Sequence, residues 1–499
     1  MENESRSEIM RQLQELGLSC VKKYRCRETK YLHYSQDHDN ETPSPMIPIL
    51  ENFLMILTLL RSRTVENISD AKEMLEKILH FQVVTEQASH ANFPVYLHEY
   101  PECKDRFSGL HISLVIYWIL KSFHAVIGSD LHAKLAKSLQ SLLLQALKTH
   151  HEKPAPYHFV IKLACVAAAG GKLLQDDSIG TEGNTLLQKM SSETSNPYWY
   201  NPESMAVMLV SLSLVYPHIA NSPWKKFWHH VQDTWHHAIC SYIGPALKEW
   251  QYEFEPKTTL YDLILGYYSG SLSARSLKIH PVHFQAALIH PSEEIFVEPK
   301  CPLELEGNFN EMKWFMHRDK MAYSAISYGQ KPLVKDPAFY PFTLTWGNSA
   351  RLHSFVCESN PDFTLHVEKS PDPNKVCLTF TLEKPAATDD REKSREITFF
   401  LDFFSALEFR VETLVSSTFR LGELITIKGD RCLIHLKFSL LQGTGTFMGH
   451  RMLGNRPSQI AAKGLNRYQA YDWMIFLRTV NRSAPCQVLV ELSYTELTE

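Results

Sequence analysis

From Glu51 to about residue 290, apolar residues recur every third or fourth position, the spacing of helices that each bury one face. Leu131, Leu135, Leu139, Leu142, Leu143 and Leu147 form one such stripe, with Asp130 placed to cap its start. Asn201 and Pro202 suit the N-cap and first turn of another helix, whose buried side carries Met205, Met208, Leu209, Leu212 and Val215. Trp224, Phe227, Trp228, Val231, Trp235, Ile239 and Tyr242 predict a single aromatic-faced helix, and further helices are expected over 69–81, 107–126, 156–172, 181–190 and 258–268. An amphipathic opening with Ile9, Leu13 and Leu16 is expected to end at Gly17. A polar arm or lid then runs through Thr42-Pro43-Ser44-Pro45, where the prolines disfavour helix.

After residue 300 the period falls from 3.6 to 2. Phe363, Leu365 and Val367 alternate with polar residues, as do Val376, Leu378, Phe380 and Leu382, and Ile397, Phe399 and Leu401. Ile425 and Ile427 lead through Lys428-Gly429-Asp430 into Ile434, Leu436, Phe438 and Leu440, which predicts a hairpin. Strands near 321–328, 342–347, 408–413, 474–480 and 487–493 complete an expected set of about ten. The fold class that follows is α+β and multidomain, an N-terminal α/α toroid or helical bundle followed by a C-terminal antiparallel β-sandwich. The expected parts are an arm over 1–50, a helical domain over 51–295 and a sandwich over 300–499.

Charge changes this picture little. The 51 Lys and Arg residues against 55 Asp and Glu leave a net charge of −4, so no global field draws nucleic acid or an anionic membrane, and neither is expected as a partner. The longest run of apolar character, Ile112 to Leu120, is half of what a membrane span needs (about 18 residues). Met1-Glu2-Asn3-Glu4-Ser5 offers neither a basic nor an apolar leader segment, and the 10 cysteines show no C-x-x-C pair. A cytoplasmic protein with reduced thiols is the expectation; oligomeric state is left open.

No P-loop, G-x-S-x-G elbow or H-E-x-x-H motif is present, so no nucleotide, serine-hydrolase or zinc-protease chemistry and no cofactor is expected. His229, His230, His236 and His237 invite a metal, but on one helix residues seven apart stand roughly 10.5 Å apart along the axis, too far to share an ion. The most polar-functional stretch runs from Gly443 to Trp473, a long loop between two strands that carries His450, Arg451, Arg456, Arg467 and Tyr468. It suits either recognition of carboxylate, phosphate or sulfate by arginine, or packing between domains.

Helices first, sandwich second, with Trp314-Phe315-Met316-His317-Arg318-Asp319-Lys320 opening the strands: this order resembles the polysaccharide lyases of the hyaluronate, chondroitin and heparinase II/III-like group. The resemblance implies a cleft between toroid and sandwich and an acidic polysaccharide or oligosaccharide as partner. A lyase on such a polymer neutralises the uronate carboxylate, removes the neighbouring proton and protonates the leaving oxygen, so that the chain breaks by β-elimination. On that basis Tyr252, Asn201 and Arg451 are the catalytic candidates. Trp199, Tyr200, Lys248, Trp250, Gln251, His450, Arg456, Arg467 and Tyr468 are the candidates for holding sugar. Two ordinary readings stand beside these: Asn201 is also a helix cap, and no His or Arg lies between Gly244 and Glu255. The alternative is a catalytically inactive binding or interaction protein that keeps the architecture.

Overall fold

The computed structural model describes residues 6–34, 46–83, 91–193, 196–237, 241–245, 259–270, 272, 279–309, 312–320, 322–329, 340–348, 351–357, 363–385, 395–402, 407–429, 431–457 and 471–497. The chain divides into a helical unit, Met1–Thr194, Pro202–Gln232 and Lys257–Val297, and a strand unit, Ser195–Asn201, Asp233–Pro256 and Glu298–Glu499.

In the helical unit six helices close a ring by neighbour contacts: α1 (Arg6–Tyr24), α2 (Ile49–Ser62), α4 (Ser108–Ile127), α6 (Tyr157–Leu174), α8 (Pro202–Leu212) and α10 (Leu260–Tyr268), with α10 returning to α1. The helices α3 (Val65–Ile78), α5 (Ser129–Glu152) and α7 (Asp177–Ser191) pack against α2, α4 and α6 respectively, giving the paired inner and outer helices of an α/α toroid. Sequence dictates which helix goes where. α2 and α4 are apolar on most sides and are buried over most of their length, while α5 hides little beyond its predicted leucine stripe. By length and composition α4 and α6 could each cross a membrane, and 67% of each apolar window is buried inside the unit, as suits core helices.

Several expectations about helix ends are corrected. The opening helix does not stop at Gly17 but continues to Tyr24. The glycine serves close packing, because a Cβ there would lie 2.8 Å from Thr58 Cγ2 on α2. Gly128 caps α5 and Asp130 sits in its first turn. The predicted aromatic helix is also shorter than its stripe: α9 (Lys225–Asp233) ends there, and β1 (Trp235–His236) pairs antiparallel with β2 (Ser241–Tyr242). A tertiary bond accounts for the break. The guanidinium of Arg318, fully buried, donates to the Trp235 carbonyl at 3.3 Å, an acceptor that a continuing helix would have used for itself.

The strand unit is an antiparallel sandwich of two layers. One layer runs in the order β3 (Leu303–Phe309), β4 (Met312–Arg318), β5 (Ala322–Gly329), β6 (Phe342–Asn348), β7 (Arg351–Cys357), β10 (Arg395–Leu401), β16 (Tyr471–Arg482), β15 (Gly445–Pro457), β12 (Thr418–Phe419). The other runs β11 (Glu408–Val411), β13 (Leu424–Gly429), β14 (Cys432–Gln442), β17 (Cys486–Glu496), β9 (Lys375–Leu382), β8 (Phe363–Lys369), and among the described residues the layers are bridged at Gly329 to Leu365. Their inner faces share a core in which Phe399 meets Phe438 at 6.2 Å and stacks on Phe355 at 5.0 Å. The expected hairpin is there, with Ile425 opposite Leu436 and Ile427 opposite Ile434. The expected long loop after Gly443 is corrected over residues 445–457, which form β15 along β16, while residues 458–470 lie outside the described residues. The alternation of β15 is disguised by glycine, since Gly449 takes an inner-face position where a Cβ would lie within 2.0 Å of the Phe419 ring.

Candidate functional site

A cavity of about 670 Å³ opens in the helical unit among α1, α2, α10, the short helix Pro281–Leu288 and the segment after it. Its walls are apolar where Met10, Leu13, Ala286 and Pro291 face it, and its charged lining is Arg6, Arg11 and Arg61 against a single carboxylate, Glu293. Arg11 is exposed and already paired with Glu8 and Glu15 on its own helix. Arg6 and Arg61 differ from it: among the described residues they hydrogen-bond to carbonyls and a histidine, not to carboxylates.

Each of these two arginines is held by the same stretch of main chain. Arg61, near the end of α2, donates to the Ile289 carbonyl at 2.8 Å and to His290 Nε2 at 2.5 Å. Burial pushes its guanidinium down to about 10. His290 lies flat on Trp118, and burial, with Arg61 and Lys121 beside it, holds its ring well below the usual imidazole range, so Nε2 is free of a proton and accepts. Arg6 donates to the carbonyls of Ser292 and Glu294, with its guanidinium carbon 5.3 Å from the centre of the Tyr267 ring. Tyr267 donates to the Ser292 carbonyl at 3.2 Å and accepts from the Ser292 N–H at 2.7 Å. The wall over 289–294 is thus fixed by three side chains, and the arginines are oriented before any ligand arrives. Fixed guanidinium groups on an apolar cavity of this size match a small molecule bearing carboxylate or sulfate.

The sequence-derived candidates fare differently. Trp199 and Tyr200, expected to stack on sugar, are 5% and 3% exposed; Tyr200 accepts a hydrogen bond from Trp314 Nε1 at 2.8 Å and meets its ring edge-on. They are core: their large apolar rings are closed off from solvent, and the Tyr200 hydroxyl finds its polar partner in Trp314. Asn201 has extended backbone (φ −113°, ψ 108°) just ahead of α8. His450 and Arg451 belong to a strand instead of a loop, with the His450 ring stacked on Phe476 and its imidazole shifted below the ordinary histidine value by burial and by Arg478. Arg451 sits between Phe409 and Trp473. Arg456 is on β15, but its side chain, like Lys248, Trp250, Gln251, Tyr252, Arg467 and Tyr468 entirely, lies outside the described residues. Among the described residues no three His, Cys, Asp or Glu side chains gather to hold a metal.

Besides the cavity, sequence reasoning missed a buried cluster. Lys162 on α6 donates from Nζ to His111 Nδ1 on α4 at 2.6 Å, with the Phe159 ring beneath the amine. Burial pushes Lys162 down to about 7 and His158 down to about 4. The available signal was a lysine within the apolar run from Phe159 to Ala169.

Neither the family models nor the curated proteins contain a match to this sequence. Among solved structures, the chain is similar to heparinase III, with a TM-score of 0.49 at 10% identity over 97% of this chain and 85% of the other. It is also similar to chondroitinase AC lyase, with a TM-score of 0.49 at 7% identity over 99% of this chain and 83% of the other.

Proposed function

We propose that the protein binds an acidic saccharide in the cavity of its helical unit. The observation that supports this is the pair Arg6 and Arg61, pre-set by main-chain carbonyls on an apolar cavity of about 670 Å³. A uronate or sulfated sugar offers both halves of the match, an oxyanion for the guanidinium groups and an apolar ring face for Met10 and Leu13. Cleavage by β-elimination would need a free base and acid as well. In the described lining the phenol of Tyr267 is engaged twice by Ser292, which supports binding as the first reading. A reducing, cytoplasmic setting belongs to the same reading, supported by nine free cysteines among the described residues.

Calorimetric titration with hyaluronate and heparin disaccharides, beside a neutral disaccharide, tests the proposal. Tighter binding of the acidic sugars, weakening with salt, is expected, with no ultraviolet absorbance from an unsaturated product. Equal binding of the neutral sugar would overturn the acidic reading, and growth of that absorbance would replace binding by cleavage.

A further inference from the structure

The strand unit holds a fixed cation of its own. Arg451 on β15 has its guanidinium carbon 4.9 Å from the ring centres of both Phe409 and Trp473, and its main-chain N–H donates to the Ser417 carbonyl at 2.7 Å. The two rings fix the plane of the guanidinium. Among the described residues no carboxylate pairs with it, and its buried Nε has no hydrogen-bond partner. Burial alone pushes its guanidinium down, which agrees with the lack of a neighbouring charge. The segment that follows β15, from Ser458 to Ala470, contains no Asp or Glu, and its only charged residues are Lys463 and Arg467.

The surroundings are apolar and open. On β15 Leu453, two residues along on the same face as Arg451, is 46% exposed, and just ahead of Ser417 Leu414 and Val415 are 70% and 77% exposed. An oriented, unpaired arginine amid exposed aliphatic side chains is the composition of an interface centre. We infer that this rim docks an acidic, apolar peptide, whose carboxylate engages Arg451 and whose aliphatic side chains cover Leu453, Leu414 and Val415. A hydrated glycan would satisfy the charge but leave those side chains wet, so a peptide is the better match.

The test uses the full chain and a fluorescein-labelled peptide of alternating Leu and Glu, read by anisotropy, with a Leu and Gln peptide and a hyaluronate oligosaccharide as controls. The expected result is saturable binding of the Glu peptide, with a loss of about tenfold or more for the Gln peptide and for Arg451→Gln. Val415→Asp, at a position too exposed to unfold the sandwich, is expected to show a similar loss at an unchanged melting temperature. Binding that ignores the Glu-to-Gln change, or that survives both substitutions, would overturn the inference. So would Arg451-dependent binding of the oligosaccharide in place of the peptide. None of these outcomes depends on the helical cavity.

Discussion

Burial, more than residue type, decides what individual side chains do here. Lys162 is the clearest case. Its folded pKa of about 7 lies below the ordinary lysine value, so stability is fully present above the unfolded pKa and is lost as pH falls from about 10.5 toward 7. Replacing it with Met removes that penalty: Lys162→Met is expected to be more stable than the parent by a few kcal/mol at pH 7, with the gap closing near pH 10. Urea unfolding at both pH values checks this, and a variant less stable at pH 7 would show that the bond to His111 outweighs desolvation. His158, held at about 4 by burial, acts on the acid side. Its neutral form is retained below the usual histidine pKa, so stability is expected to fall from about pH 6.5 to 4, and His158→Phe to flatten that slope. Trp199 and Tyr200 show why residue identity misled: aromatic and beside a helix start, they suited a sugar platform, and only a third residue, Trp314, more than a hundred positions away, shows them to be core.

At the scale of elements, the sequence was legible where one face alone was buried. The stripe of α5 and the alternation of β8, β9 and β13 to β14 came through because each has a polar side to contrast with. Elements ended by distant partners did not. The aromatic stripe from Trp224 continued through Trp235 in sequence, yet the fold gives the Trp235 carbonyl to Arg318. β15 was hidden by its glycines, and Gly17 was taken for a stop when it is a contact. Glycine at a helix crossing is a testable feature. On α7 a Cβ at Gly183 would lie 2.4 Å from the Ala168 main-chain nitrogen of α6, an atom that cannot move aside. Gly183→Ala is therefore expected to destabilise the helical unit by about 1–3 kcal/mol despite alanine's better helix propensity. A denaturation midpoint at or above the parent's would contradict the packing described.

At the scale of the molecule, the change of period near residue 300 carried the architecture, because a helical ring and a two-layer sandwich require different side-chain repeats. The cavity was not legible in the same way. Its walls come from α1, α2, α10 and residues 286–293, brought together only when α10 closes the ring onto α1. Arg6 and Arg61 sit 55 positions apart in no motif, and what singles them out is a shared stretch of main chain. The most direct measurement is the affinity of a uronate disaccharide for the parent chain, for Arg6→Gln and for Ser7→Trp, which fills the cavity from an exposed lining position. A loss of about 10-fold to 100-fold in each variant at unchanged melting temperature is the predicted result. Affinity equal to the parent's in both would place the sugar elsewhere and contradict the cavity as its site.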